Sequence, residues 1–139
     1  RREQAAEVTA SHPRLVNNDI ALPLESVAAF LDLMKTRLAA IDPQAEALVV
    51  SHLGDGNVHY AVWSASHDKA VHDDIIEAVE DVTLSMGGSF SAEHGIGLTK
   101  LPSMRRRKNK AALHAMRAIK HSLDPNNIMN PGKVVPAAN

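Results

Sequence analysis

No cysteine occurs among the 139 residues, which excludes disulfides, thiolate metal sites and cysteine nucleophiles and suits a reducing compartment. Aromatic residues make up only 3% of the chain, so its interior must be assembled mainly from Ala, Val, Leu, Ile and Met. No apolar run approaches the roughly 18 residues of a membrane span. The opening Arg1-Arg2-Glu3-Gln4 has no apolar stretch of a signal peptide behind it. The formal net charge of -1 leaves no global field to recruit nucleic acid or an acidic membrane. An initiator Met is also missing, and the chain reads as a piece of a longer protein. What is present, 45% hydrophobic and 22% charged residues, fits one soluble globular domain.

Residues 1–10 read as the tail of a helix. Leu15 to Leu22 reads as a short strand ended by Pro23. Val27, Phe30, Leu31, Met34, Leu38 and Ile41 recur at helical spacing and predict an amphipathic helix over about 24–41, ended by Asp42-Pro43. Ala47–Leu53 and Val58–Ser64 are strand-like runs around Gly54-Asp55-Gly56-Asn57, a hairpin signal. Val71, Ile75, Val79, Val82 and Met86 mark a second helix stopped by Gly87-Gly88, and Ser89–Ala92 reads as a last short strand. The order β-α-β-β-α-β predicts an α+β, ferredoxin-like antiparallel sheet over about 14–92, with both helices on one face. A glycine-containing loop over 93–100 leads to a third helix over about 109–123, with Leu113, Met116, Ile119 and Leu123 facing inward. Asn130-Pro131-Gly132 gives the tail turn chemistry, so 93–139 forms a C-terminal helical extension with a docked, irregular end.

The chemistry centres on the hairpin. A two-residue turn at Asp55-Gly56 pairs His52 with His59 directly across the sheet, with Cβ atoms about 4.5–5.5 Å apart. A turn at Gly56-Asn57 leaves them diagonal on the same face. Imidazoles so placed repel when protonated, which favours neutral rings sharing a cation. Glu93, just after the last strand, can complete a His, His, carboxylate set that suits Zn²⁺ or another divalent first-row metal, leaving positions open for water or a chelating substrate. The bland alternative is a pair of ordinary polar residues on a half-exposed sheet. Both faces of the strands are apolar, Val49, Val58, Tyr60 and Val62 on one and Leu48, Val50, Ala61 and Trp63 with the histidines on the other. The histidine face is therefore expected to meet another domain, in a cleft suited to an active site.

Three segments carry a family resemblance. His52-Leu53-Gly54-Asp55-Gly56-Asn57-Val58-His59 resembles the H-x-G-D-G-N-x-H signature of the FAD-linked oxidases related to vanillyl-alcohol oxidase. Ser91-Ala92-Glu93-His94-Gly95-Ile96-Gly97 resembles a second signature, and Leu123-Asp124-Pro125 with Asn130-Pro131-Gly132-Lys133 resembles the C-terminus. The D-lactate, D-2-hydroxyglutarate and glycolate dehydrogenases (or oxidases) are the nearest kinds. The resemblance implies that residues 1–139 are the C-terminal, substrate-side portion of such an enzyme, with FAD held mainly by an N-terminal domain absent here. It implies oxidation of a D-2-hydroxy acid to the 2-oxo acid, with His52, His59 and Glu93 as metal ligands and His94 as the substrate-binding base. Asn130 and Asn57 would lie toward the flavin and Arg2 toward the substrate. Asn17 and Ala6 depart from the Lys and Thr usual in D-2-hydroxyglutarate dehydrogenases, so the identity of the acid stays open.

The remaining signals are weaker. Arg105-Arg106-Arg107-Lys108 reads as a solvated helix start, since no aromatic or glycine-rich context accompanies it; the other readings are docking to an acceptor protein, a membrane or nucleic acid, or, together with Lys100, facing the flavin phosphates or an anionic substrate. His72 reads as structural, His114 and His121 as solvent-facing, and His12 and His67 as turn residues. The partners expected are a small 2-hydroxy acid, the enzyme's own FAD domain and an electron-acceptor protein or quinone, with a homodimer left open and no nucleic acid. The expected location is cytoplasmic or peripheral to the inner membrane. The chain on its own is expected to be inactive. Two rival readings are a non-catalytic ferredoxin-like binding or oligomerisation module and a metal-dependent hydrolase.

Overall fold

A computed structural model describes residues 14–52 and 54–137. The helical tail expected over 1–10, Arg2, Ala6, His12 and Leu53 lie outside the described residues. The chain divides into two compact units, residues 1–93 and 94–139.

In the first unit, strands β1 (Leu15–Ala21), β2 (Glu46–His52) and β3 (Asn57–Trp63) form an antiparallel sheet in the order β1-β3-β2. Helix α1 (Val27–Ile41) follows a single 3-10 turn at Leu24–Ser26, and α2 (Lys69–Ser85) follows β3. The arrangement is the α+β, split βαβ order that the periodicities predict. Strand alternation sends Val16, Ile20, Val58, Tyr60 and Val62 to one face, where they are buried with Phe30 and Met34 of α1 and Ile75 and Val79 of α2. Despite the scarcity of aromatics, two of them anchor this core: the Phe30 and Tyr60 rings meet edge to face at 5.6 Å.

The end of α1 is tied to the end of β3 through Asp42. Its carboxylate accepts from Ser64 Oγ (2.7 Å) and from the Ala65 N–H (2.8 Å), while its own N–H closes the helix on the Leu38 carbonyl. Burial pushes the Asp42 carboxyl up, but the bonds from Ser64 and Ala65 outweigh it, so the group titrates below its ordinary value. A depressed carboxylate stabilises above its unfolded pKa and loses that contribution as pH falls through its folded one. Asp42→Asn is therefore expected to cost about 1–3 kcal/mol at neutral pH. In urea melts as a function of pH, the gap from wild type should close below about pH 4. A pH-independent gap would show that the charge contributes nothing.

The last expected strand is shorter than anticipated. Ser89 makes one bridge to Ala21, and no longer ladder forms at 89–92. That bridge lies on the edge of β1. The cause is the exit from α2, where Gly88 N–H bonds the Thr83 carbonyl and Gly87 N–H the Leu84 carbonyl, a full Schellman closure with Gly87 at φ +76°. A side chain on Gly88 would meet the Ala21 carbonyl at 2.4 Å, so glycine permits the close approach that starts the bridge.

In the second unit, α3 (Leu101–Arg107) and α4 (Lys110–Leu123) are separated by Asn109, whose Oδ1 accepts from the Ala111 and Ala112 N–H groups. Helix α3 falls where only a loop and a helix start were read. Its roughly two turns are too short to show periodicity, and Pro102 at its beginning reads equally as a breaker. Of the stripe expected to face inward on α4, only Leu113 is buried; Ile119 and Leu123 are exposed. The tail is docked as expected, with Arg117 Nε donating to the Pro136 carbonyl (2.9 Å) and Asp124 accepting from the Ile128 and Met129 N–H groups (2.9 Å each).

Candidate metal centre and family

The hairpin brings His52 and His59 to the same face, but not directly opposite. The register pairs His52 with Asn57 and His59 with Val50, so the histidines are diagonal neighbours with ring centroids 5.7 Å apart. The loop contains four residues, 53–56, in place of the two-residue turn. Asp55 N–H bonds the His52 carbonyl and Asp55 Oδ1 accepts from the Asn57 N–H, while the Gly56 carbonyl accepts from the Leu22 N–H (2.9 Å). That last bond ties the loop tip to the segment after β1. Loop length remains even, so the shared face is preserved.

Glu93 arrives from the far side of β1. Its Oε1 lies 3.9 Å from His52 Nε2 and its Oε2 3.8 Å from His59 Nε2. One ligand atom from each of the three can be chosen so that all lie within 4.8 Å of one another. Ligands bonded at about 2.0–2.1 Å around a tetrahedral ion sit roughly 3.4 Å apart, so small side-chain movements would close the set on a cation. His52 and His59 are half-buried and Glu93 is exposed, which leaves an open side.

A residue that sequence reasoning passed over organises the cluster. Asp19, buried on β1 opposite His59, places Oδ1 3.8 Å from His59 Nδ1. The same carboxylate accepts from the Ala92 N–H (3.2 Å) and the Glu93 N–H (3.1 Å). Asp19 thus fixes where the chain turns after the Ser89 bridge and also faces the back of an imidazole whose other nitrogen points to Glu93. A carboxylate behind a ligating histidine is the common outer-shell arrangement of metal sites. The available signal was a lone acid in an otherwise neutral strand, whose partners could not be read without the sheet order.

Asn57, on the histidine side of β3 by strand alternation, is buried, and neither amide atom has a hydrogen-bond partner among the described residues. A buried amide of this kind is ordinarily satisfied by a bound water, a ligand or a partner group. His94 is exposed and directly follows Glu93; Asn130 lies in the tail turn at φ 47°, a conformation asparagine tolerates. Both belong to the second unit. His72 Nε2 is paired with the Ser66 carbonyl at 2.9 Å, a structural role, and His67, His114 and His121 are exposed.

The chain matches the family of FAD linked oxidases, C-terminal domain, over residues 1–134. It is 33% identical over 135 residues to a protein of Oryza sativa subsp. indica named probable D-2-hydroxyglutarate dehydrogenase, mitochondrial, covering 97% of this chain and 24% of that protein. A Bos taurus protein named D-2-hydroxyglutarate dehydrogenase, mitochondrial, is 35% identical over 136 residues, again 97% and 24%. An Arabidopsis thaliana protein named D-lactate dehydrogenase [cytochrome], mitochondrial, is 33% identical over 121 residues, covering 85% of this chain and 21% of that one. The chain thus spans about a quarter of the length of these relatives. Its motifs, its fold and these matches agree: it belongs to the FAD linked oxidases, as their C-terminal domain.

Proposed function

We propose that the whole enzyme oxidises a D-2-hydroxy acid to the 2-oxo acid, passing hydride from Cα to FAD with a divalent metal, zinc first among candidates, beside the reacting hydroxyl. The observation that carries this reading is the convergence of His52, His59 and Glu93 on one point, backed by Asp19. Two imidazoles and a carboxylate are a fitting donor set for such an ion. When bound, it would supply positive charge that lowers the pKa of a neighbouring hydroxyl. FAD, when bound, would supply the hydride acceptor, and it is held mainly by an N-terminal domain of the same enzyme.

The chain's own residues then have distinct tasks. His94 takes the hydroxyl proton, its exposed imidazole able to pass it on to solvent. Arg2 offers a cation to the substrate carboxylate. Asn57 suits the flavin because its unpaired amide offers both donors and an acceptor, matching a ring edge that carries both. Asn130 faces the flavin from the tail turn. Electrons leave for an acceptor protein or a quinone.

Anaerobic mixing of the full-length enzyme with D- and L-2-hydroxy acids tests the reading through flavin absorption. Bleaching by a D-acid supports it; oxidised flavin that every 2-hydroxy acid leaves untouched refutes it. His94→Gln should slow that bleaching by roughly 10²–10⁴-fold with metal content unchanged. Undiminished reduction in this variant would remove His94 as the base.

A further inference from the structure

The register fixes, position by position, what surrounds the two histidines on their face of the sheet. His59 is paired with Asp19 on β1 and with Val50 on β2. Two residues further along β3, on the same face, Ala61 is paired with Asn17 and Leu48, and beyond it Trp63 with Leu15 and Glu46. The floor beside the candidate metal centre is therefore Val50, Leu48, Ala61 and Trp63, with Asn17 at its margin. Val50 and Leu48 are each 39% exposed, although apolar. The ionisable side chains on this face are His52, His59, Asp19 and, at the far end, Glu46, and no strand position here holds Lys or Arg. The described cations of the first unit lie elsewhere. Arg14 stands outside β1, beyond the pair of Leu15 with Trp63, while Lys35 and Arg37 are on α1 and Lys69 begins α2. Both helices pack on the opposite face.

We infer that the 2-hydroxy acid taken by this enzyme carries an uncharged aliphatic side chain and no second carboxylate, and that Val50, Leu48 and Ala61 select it. The inference rests on the proposed hydride transfer and names the substrate class of that same site. A substrate held at His52, His59 and Glu93 lies against Val50, the direct cross-strand neighbour of His59, with Cβ atoms about 4.5–5.5 Å apart. Its side chain, attached to the carbon that bears the hydroxyl, is carried onto the floor that continues from there. That floor is lowest at Ala61, a methyl group between His59 and Trp63. An aliphatic chain laid on it leaves water for apolar surface, which strengthens binding. A second carboxylate would lose its hydration with no cation on the sheet face to replace it, and the buried Asp19 adds a like charge. Arg2, the cation assigned to the substrate, answers the one carboxylate that every 2-hydroxy acid has.

A substrate series on the full-length enzyme tests the proposal. From D-lactate through D-2-hydroxybutanoate to D-2-hydroxypentanoate, kcat/KM for flavin reduction should rise roughly fourfold per methylene. D-2-hydroxy-5-methylhexanoate should exceed D-2-hydroxyglutarate, which has the same shape with a carboxylate in place of the isopropyl group, by roughly 100-fold or more. The corresponding 2-oxo acids, which cannot donate hydride, report binding alone by titration calorimetry and should follow the same order. Leu48→Arg places a cation on the floor and should shift the preference toward the dicarboxylate by roughly 10–100-fold. Leu48→Gln, similar in size and uncharged, should shift it far less. Flavin content and circular dichroism check that both variants are folded. A dicarboxylate preferred by the wild-type enzyme would overturn the inference while leaving hydride transfer intact, because another part of the enzyme would then supply the cation. A folded Leu48→Arg enzyme with unchanged preference would also overturn it, by removing the side chain from this floor. Flavin that no 2-hydroxy acid reduces would overturn the hydride-transfer reading, and this inference with it.

Discussion

His59→Ala is expected to lower zinc affinity by more than 100-fold, because it removes a ligand, whereas loss of an outer partner typically costs 10–100-fold. His59 is the most constrained member of the cluster, with Asp19 at 3.8 Å behind it and Glu93 at 3.8 Å in front. His52→Ala should behave similarly, since the remaining imidazole and carboxylate would leave a poor site for a first-row metal. Asp19→Asn keeps all three ligands and should fall in the milder 10–100-fold range, although it also weakens the acceptor that positions the Glu93 backbone. Zinc content after dialysis against a competing chelator, with titration calorimetry on the stripped protein, measures the series. Full occupancy in both histidine variants would end the assignment of these residues as ligands.

Gly56→Ala is expected to destabilise the first unit by roughly 3–5 kcal/mol, among the largest effects of a single substitution. Two costs combine. Gly56 sits at φ +73°, where an L side chain costs about 1–2 kcal/mol. A Cβ there would also lie 2.0 Å from the Leu22 carbonyl oxygen, so backbone must move and the bond from Leu22 N–H to the Gly56 carbonyl is lost. Gly87→Ala provides the comparison, since φ is +76° but nothing lies within 4 Å of the added Cβ. It should cost only about 1–2 kcal/mol. Urea denaturation of the two variants separates the terms, and equal losses would show that the Leu22 contact does not constrain the turn. Because the loop tip sets the register of β2 on β3, Gly56→Ala should also lower metal affinity in whatever protein remains folded.

Much of this architecture was legible because periodicity reports burial directly. The spacing of Phe30, Met34 and Leu38, and of Ile75, Val79 and Val82, gave both helices of the first unit and the faces they bury. Alternation in β2 and β3 placed His52 and His59 on one face for any even loop. Where periodicity had too little length to act on, as in the roughly two turns of α3, the element was invisible. Where it had length but no cover, as on α4, it named Ile119 and Leu123 as inward and the structure leaves them exposed. An amphipathic pattern records that a face is apolar, not what lies against it.

The sequence by itself determined the family, the α+β order and the identity of the three side chains that converge, because these follow from local pattern and motif. Only the tertiary structure decided that the histidines are diagonal, since Leu22 holds the Gly56 carbonyl and fixes a four-residue loop. It alone decided that the segment before Glu93 runs beside β1 and that Asp19 receives both its backbone and the back of His59. Asp19 and Glu93 are 74 residues apart. Contacts of that separation depend on which strand edge meets which segment, a choice made by close backbone approach at Gly88 and by hydrogen bonding across the sheet, and no local spacing encodes it.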